Sequence, residues 1–264
     1  MFDIDKIKLP AKHIIAVASG KGGVGKSTVS VNMAIALARQ GFKVGLVDAD
    51  IYGPSVPRMM GLEALTPEVE MIGEKESMKP LVKYGVQVIS LGFFMEKGQS
   101  VIWRGPLAAN AILQLFENTS WDALDYMIVD FPPGTGDIQL TILQRLSLTG
   151  AIIVTTPQEI ALNDARRAVS MFMKEGIQIP VLGVVENMAW FTPKAHPDEK
   201  YFIFGQGGGA LLAKEFNTKL LCQIPLVAGV GEAAEKGMSI FNIEDQIMVK
   251  DFLTMIDDLI EQLD

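Results

Sequence analysis

The stretch Gly20-Lys21-Gly22-Gly23-Val24-Gly25-Lys26-Ser27-Thr28 fits the phosphate-loop pattern G-x-x-x-x-G-K-[ST] and adds a lysine at its second position. It follows an apolar run at residues 13–19, which predicts a buried strand, and precedes residues 29–40, which predict a helix. Phosphate loops work in this strand–loop–helix context, because backbone N–H groups and the helix N-terminus then face the phosphates together. The sequence therefore predicts a site for a nucleoside triphosphate.

The residue types in the loop match that chemistry. Glycine leaves no Cβ between the backbone and the β- and γ-phosphates. We expect Lys26 to reach the β/γ oxygens and Ser27 to bind Mg²⁺. The predicted ATP-binding residues here are Gly20, Lys21, Gly22, Gly23, Val24, Gly25, Lys26, Ser27 and Thr28.

Length and composition predict one domain over residues 1–264, since 264 residues at 49% hydrophobic content can bury one large core. Residues 1–12 form a lead-in to the first strand. Residues 62–82 are charged and weakly patterned, which predicts an excursion or a mobile hairpin.

Charge and composition also limit which partners and which cellular compartment we expect. Uncharged runs reach about a dozen residues, below the ~18 that span a membrane, so no membrane partner is expected. A net charge of −8 gives no support for nonspecific nucleic-acid binding. One cysteine excludes an internal disulfide, and the charged N-terminus lacks the apolar core of a signal peptide. These features indicate the cytoplasm.

Strand and helix patterns alternate along the chain. Further strands are predicted at residues 43–48, 86–91, 126–131, 151–155, 181–186 and 220–224, and helices at 106–117, 138–146, 160–174, 208–216 and 244–263. Continuous Val/Ile runs indicate strands that are covered on both faces. We therefore predict an α/β fold, a doubly wound and mostly parallel sheet with helices on both faces and ligands at the carboxyl ends of the strands.

Two acids close the second predicted strand. Asp48 and Asp50 stand at i and i+2, so both are expected to point toward the phosphates. We predict that Asp48 acts at the Mg²⁺ and that Asp50 orients the attacking water. An Asp after a strand is also a common cap, which is the alternative interpretation.

A third acid, Asp130, ends the strand predicted at 126–131 and precedes Pro132-Pro133-Gly134-Thr135-Gly136. A carboxylate at this point can support Mg²⁺, and Gly134 can offer its N–H to the γ-phosphate. The segment then acts as a switch that responds to hydrolysis. A Pro-Gly turn capped by Asp is the alternative.

Together, the GKGGVGKST loop, the Asp48-Ala49-Asp50 segment and the D-x-P-P-G-T-G-D segment from Asp130 to Asp137 resemble the deviant Walker A ATPases. That class of P-loop NTPases includes MinD, ParA, the nitrogenase iron protein and the Mrp/ApbC proteins. Within it, Asp50-Ile51-Tyr52-Gly53-Pro54-Ser55, Trp103-Arg104-Gly105-Pro106 and Asp130–Asp137 resemble the Mrp/ApbC iron–sulfur cluster carriers. The similarity covers about residues 12–262.

The resemblance implies a mechanism and a set of partners. It implies a homodimer in which Lys21 reaches across the interface to the partner's phosphates. Asp50 would lie in the first switch and Asp130 in the second, and Asn187 would read the adenine. The implied catalytic residues are Lys21, Lys26 and Asp50. The implied activity is slow, Mg²⁺-dependent ATP hydrolysis coupled to the transfer of [4Fe-4S] clusters to apoprotein clients or to their assembly proteins.

One departure from the family pattern affects the cluster. Family members usually place a C-x-x-C pair soon after the Glu-Asn-Met segment, whereas residues 186–197 of this chain contain no cysteine. Cluster irons need thiolates or, less often, imidazoles. The single thiol is Cys222, in an apolar predicted strand where a buried structural role is expected. His196 is a possible ligand, but a lone histidine in a Pro-rich loop usually binds nothing.

Three functions therefore remain open: an ATP-driven cluster carrier or assembly factor, an ATP-dependent dimerising switch or scaffold without a cluster, and a MinD- or ParA-like positioning ATPase. Residues 251–264 are acidic, unlike a lipid-binding amphipathic helix. The net charge argues against DNA binding. The sequence favours the carrier family, with cluster ligation by the chain's own cysteines in doubt.

Overall fold

The structure is a computed structural model that describes residues 5–95, 105–243 and 246–263. Trp103 and Arg104, which carry part of the family resemblance, lie outside these ranges, as do residues 244 and 245 at the predicted start of the last helix.

Eight of the strands form one sheet. Its order is β10-β9-β8-β1-β7-β2-β6-β5, and all neighbours are parallel except β5 and β6. The strands of the chain are β1 Ala11–Ala18, β2 Val44–Asp48, β3 Val69–Ile72, β4 Lys75–Met78, β5 Leu81–Lys83, β6 Val86–Ser90, β7 Leu124–Asp130, β8 Gly150–Thr155, β9 Val181–Phe191 and β10 Leu220–Leu226. The predicted mostly parallel, doubly wound sheet is confirmed.

Helices pack against this sheet. They are α1 Lys26–Arg39, α2 Val56–Met59, α3 Gly105–Glu117, α4 Asp137–Arg145, α5 Glu159–Met173, α6 Gly208–Glu215, α7 Val230–Glu235 and α8 Gln246–Leu263, with short 3₁₀ turns at Leu91–Phe94 and Ile240–Asn242. Every residue of β2 and β8 is buried, which requires cover on both faces of the sheet. No helix in the described parts of the chain has both the length and the apolarity needed to cross a bilayer.

The segment predicted as an excursion, residues 62–82, contains the antiparallel hairpin β3–β4. Its last residues belong instead to β5, which adds an antiparallel edge to the main sheet. The mobility of the hairpin stays a prediction. All four residues of β3 are exposed, including the apolar Val69 and Met71, so the strand has no buried face that hydrophobic periodicity could reveal.

Three other elements differ from the sequence-based expectation. Strand β9 continues five residues past Glu186 to Phe191, because β10 pairs with it as far as Leu226. Helices α2 and α7 are too short to produce a helical period, so the sequence did not predict them. Both line the candidate site.

Candidate nucleotide site

The predicted phosphate loop joins β1 to α1 at the carboxyl edge of the sheet. Gly25 precedes the first residue of α1 with φ of 86°, a left-handed conformation that favours glycine. A Cβ at Gly25 would lie 2.1 Å from Nδ2 of Asn187, and a Cβ at Gly20 would lie 2.0 Å from the carbonyl oxygen of Asp164 in α5. Gly20 and Gly25 are therefore required by packing as well as by any ligand.

A cavity of about 370 Å³ opens over the loop. Its walls include Lys26, Ser27, Thr28 and Asp50, together with Met59 of α2 and Ala234 of α7. A volume of this size falls in the range of small-molecule sites. The loop, the second strand and two short helices thus converge on one pocket.

Asp130, at the end of β7, is fully buried and sits among hydrogen-bond donors from α1. Its Oδ1 lies 2.8 Å from Nζ of Lys26 and accepts from Oγ of Ser30 at 2.7 Å. Its Oδ2 accepts from Oγ of Ser27 at 2.6 Å. The structure therefore brings together the predicted lysine, hydroxyl and carboxylate of a Mg²⁺–phosphate site. Ser30 is a site residue that no sequence motif predicted, although its position four residues after Lys26 places both on one helix face.

Lys26 is a buried cation between acids. Burial alone would lower its pKa, but the carboxylates of Asp130 and Asp50 outweigh that effect and hold the pKa above its ordinary value. Its Nζ lies 3.6 Å from Oδ2 of Asp50. Lys26 therefore carries its full positive charge at neutral pH, as a phosphate ligand must.

Asp50 lies at the cavity wall with one oxygen unused. Its Oδ1 is buried and has no hydrogen-bond partner among the described residues. A buried carboxylate oxygen without a partner is costly unless water or an ion satisfies it. Asp50, Lys26, Ser27 and Asp130 together fit Mg·ATP: Lys26 would contact phosphate oxygens, Ser27 would bind the metal ion, and Asp130 would support it.

Asp48, at the end of β2, is buried, and its carboxylate accepts three hydrogen bonds from the chain. Its Oδ1 accepts from the N–H of Asp50 at 3.1 Å, and its Oδ2 accepts from the N–H of Val56 at 3.2 Å and from Oγ of Ser90 at 3.0 Å. Burial and the charge of Asp130 raise the pKa of Asp48 to about 7, against the opposing effect of Lys26. The role of Asp48 at the metal stays a prediction.

The remaining predicted residues lie in the phosphate loop or contact residues in it or next to it. Nδ2 of Asn187 donates to the carbonyl of Val24 at 2.8 Å, so this side chain touches the loop itself. The N–H of Gly134, whose φ is 94°, donates to the carbonyl of Ser19 at 3.1 Å. The Lys21 side chain forms no ion pair with any described residue. The adenine, γ-phosphate and trans roles of these residues stay predictions.

The thiol and imidazole candidates for a cluster lie elsewhere. Cys222 in β10 is only 8% exposed, and burial, with a smaller effect of Asp251, raises its pKa to about 12. The His196 side chain is exposed, with Nδ1 3.5 Å from a carboxylate oxygen of Glu199. In the described parts of the chain no three His, Cys, Asp or Glu side chains are grouped so that they could hold a metal ion. These residues do not fit a cluster bound by this chain alone.

This combination of loop, lysine, hydroxyl and carboxylate on a parallel sheet defines a P-loop NTPase. The family model described as ParA, NUBPL iron-transfer P-loop NTPase, matches residues 10–260, and the chain belongs to that family.

Individual relatives agree with that assignment. The chain is 50% identical over 229 residues to an iron–sulfur cluster carrier protein of Synechocystis, covering 87% of this chain and 64% of that protein. It is 47% identical over 228 residues to the iron–sulfur cluster carrier protein of Escherichia coli K12, covering 86% of this chain and 60% of that protein. The chain thus spans less than two thirds of the length of these relatives.

Solved structures share the fold. A nucleotide-binding protein from Archaeoglobus fulgidus, in complex with ADP, matches with a TM-score of 0.74 and 36% identity, covering 86% of this chain and 87% of that one. The cell division ATPase MinD of Pyrococcus furiosus matches with a TM-score of 0.64 at 21% identity, covering 96% of this chain and 99% of that one, which shows a shared fold.

Proposed function

We propose that this protein binds Mg·ATP, hydrolyses it slowly, and uses the ATP cycle to assist the assembly or transfer of iron–sulfur clusters. The observation that carries the ATPase half is the buried contact of Lys26 and Ser27 with Asp130, beside the unpaired oxygen of Asp50. The relatives named as iron–sulfur cluster carrier proteins support the cluster half. Cytoplasm is the proposed compartment, since a single cysteine suits a reducing environment.

Hydrolysis in this proposal depends on charge placement. Mg²⁺, held by Ser27 and supported by Asp130, would neutralise the developing charge on the β- and γ-phosphates. Lys26 contributes a permanent positive charge next to the same oxygens. Asp50 is the carboxylate free to orient a water, because its Oδ1 has no partner among the described residues.

A homodimer completes the proposed site. Lys26 already supplies a cation to its own subunit's loop, and the Lys21 side chain forms no ion pair with a described residue. We infer that Lys21 acts on the phosphates of a second copy, which couples dimerisation to ATP.

In this proposal the iron–sulfur cluster is the group that is transferred, and thiolates would ligate it. With one buried thiol in each chain, two copies offer two cysteines, which is half of what a four-iron cluster needs. The thiolates must then come from a client or an assembly protein. This favours a second candidate function, an ATP-dependent switch that acts on cluster proteins without holding the cluster itself.

The test is a transfer assay. A cysteine-bearing apoferredoxin is incubated anaerobically with iron, sulfide and Mg·ATP, and cluster formation is followed by visible absorbance. We expect the protein to accelerate cluster formation on the client, and Asp50→Ala to remove the ATP-dependent part. Equal rates with and without the protein would contradict the cluster half, while ATP hydrolysis measured in the same tubes tests the ATPase half separately.

A further inference from the structure

Three polar residues stand in one row at the carboxyl edge of the sheet. The register of the parallel strands pairs Asp48 of β2 with Ser90 of β6 on one side and with Asp130 of β7 on the other. All three side chains are buried. Two ionised carboxylates that are buried side by side repel each other, so each needs its own hydrogen-bond donors. Asp130 accepts hydrogen bonds from Lys26, Ser27 and Ser30 of α1, whereas Asp48 accepts them from residues 50, 56 and 90.

Both carboxylate oxygens of Asp48 accept a hydrogen bond from one short segment of the chain. This segment, residues 50–56, follows β2 and carries Asp50 at its start. Asp48 accepts the N–H of Asp50 and the N–H of Val56, so it holds both ends of the segment. The third donor, Oγ of Ser90, lies 3.0 Å from Oδ2. Three of about four acceptor positions of the carboxylate are therefore used within the chain.

Ser90 fixes this arrangement from the neighbouring strand. Its Oγ accepts from the N–H of Gly92 at 2.9 Å, which leaves the O–H to donate to Asp48. A Cβ at Gly92 would come within 3.0 Å of Pro54 and 3.1 Å of Pro57. The end of β6 and the residues after it thus reach the segment in two ways: Ser90 bonds to Asp48, which holds the segment, and Gly92 lies close to Pro54 within it.

These contacts fix the position of Asp50. Its Oδ2 lies 3.6 Å from Nζ of Lys26, and only 12% of its side chain is exposed. Because Asp50 begins a segment that Asp48 holds at both ends, the position of its carboxylate depends on Asp48 and, through Asp48, on Ser90.

We propose that Asp48 and Ser90 are positioning residues for ATP hydrolysis: they hold Asp50 in the pocket and do not act on the metal ion. This inference rests on the proposed ATPase function. It gives Asp48 a role different from the metal role expected from the sequence, because its oxygens are engaged by the chain.

Two buried serines provide a matched test. Ser90→Ala removes a hydroxyl from Asp48, and Ser30→Ala removes a hydroxyl of similar geometry from Asp130. We expect Ser90→Ala to lower kcat about three- to tenfold, with ATP affinity and the Mg²⁺ concentration for half-maximal rate within about twofold of wild type. Ser30→Ala is expected to raise that Mg²⁺ concentration, because its hydroxyl contacts the carboxylate proposed to support the metal.

Hydrogen exchange separates positioning from turnover. In Ser90→Ala, the amides of Asp50 and Val56 should exchange about tenfold faster than in wild type, whereas the amide of Ile128 inside β7 should not change. This measurement needs no hydrolysis, so a protein without ATPase activity can still pass or fail it. Asp48→Asn should show the same effects more strongly, and Ser90→Ala carries the test if that variant does not fold.

The inference is overturned if Ser90→Ala keeps wild-type kcat, if it shifts the Mg²⁺ dependence as Ser30→Ala does, or if exchange at Asp50 and Val56 is unchanged. Reduced kcat with unchanged Mg²⁺ dependence and faster exchange at both amides supports it.

Discussion

Nζ of Lys26 lies 2.8 Å from Oδ1 of Asp130, and both side chains are almost completely buried. The two residues are 104 positions apart in the chain, and β1–β7 pairing brings them together. A buried cation and a buried anion each depend on the other, because an unpaired charge in the core costs far more than an exposed one. Lys26 is thus both a phosphate ligand in the proposed site and part of the fold's internal charge balance.

Lys26→Ala should therefore have two effects. ATP affinity should fall by at least about 100-fold, because a contact with the β/γ oxygens is lost. The free energy of unfolding should also fall, by about 3 kcal/mol, because Asp130 is left without its cation. Calorimetric titration and chemical denaturation measure the two effects. Lys214→Ala, at an exposed lysine of α6, is the control and should change neither. Wild-type ATP affinity in Lys26→Ala would refute the assignment of the loop.

Lys21→Ala is expected to separate binding from assembly. Because the Lys21 side chain forms no ion pair with a described residue, its removal should leave the melting temperature and the ATP affinity of the monomer close to wild type. ATP-dependent dimerisation and turnover should both be lost. Light scattering with and without Mg·ATP gives the mass. An unchanged shift in mass together with unchanged turnover would leave no role for a lysine acting in trans.

Asp50→Ala should bind ATP but not hydrolyse it. A carboxylate that orients water acts mainly in the transition state, so kcat should fall much more than affinity. Removing Asp50 takes away a buried oxygen without a partner among the described residues, but also a carboxylate 3.6 Å from Nζ of Lys26, so the two effects oppose each other and stability should change little. Turnover within about twofold of wild type, with weaker ATP binding, would instead make Asp50 a binding residue.

The parts of this site that are short, continuous sequence motifs could be predicted from the sequence. The loop, Lys26, Ser27 and the Asp130 segment are local patterns with a known chemical requirement, and the structure brings Lys26, Ser27 and Asp130 into contact. The parallel sheet was predictable for the same reason, because buried strands and helices alternate with clear periods.

The contacts between distant segments could not be predicted in this way. Asn187 meets the carbonyl of Val24 across 163 positions, and Ser90 meets Asp48 across 42. Such pairs depend on strand order and register, which leave no local pattern in the sequence. Asp48 is an example: its position after a strand could be read from the sequence, whereas its hydrogen bonds to Val56 and Ser90 could not.

Gly25→Ala should damage the loop through Asn187. The added Cβ would lie 2.1 Å from Nδ2 of Asn187, at a φ of 86° that costs a non-glycine residue about 1 kcal/mol. We expect lower stability and at least tenfold weaker ATP binding. Gly22→Ala is the matched control, because its Cβ would meet no atom within 4 Å and should leave stability unchanged. The double variant Gly25→Ala/Asn187→Ala should recover part of the lost stability. A Gly25→Ala protein as stable as Gly22→Ala would contradict the predicted clash.

Cys222 should be chemically silent in the folded protein. Because burial raises its pKa to about 12, the thiolate is scarce at pH 8, and a disulfide reagent such as DTNB should react much more slowly with the native chain than with the chain in guanidinium.

The same thiol should contribute nothing to a cluster. Anaerobic reconstitution of the isolated protein with iron and sulfide should give far less than one four-iron cluster per dimer, because two copies supply only two cysteines. Cys222→Ser should reconstitute to the same low level. A stable cluster that survives desalting and disappears in Cys222→Ser would show that this buried thiol becomes a cluster ligand and would contradict the prediction.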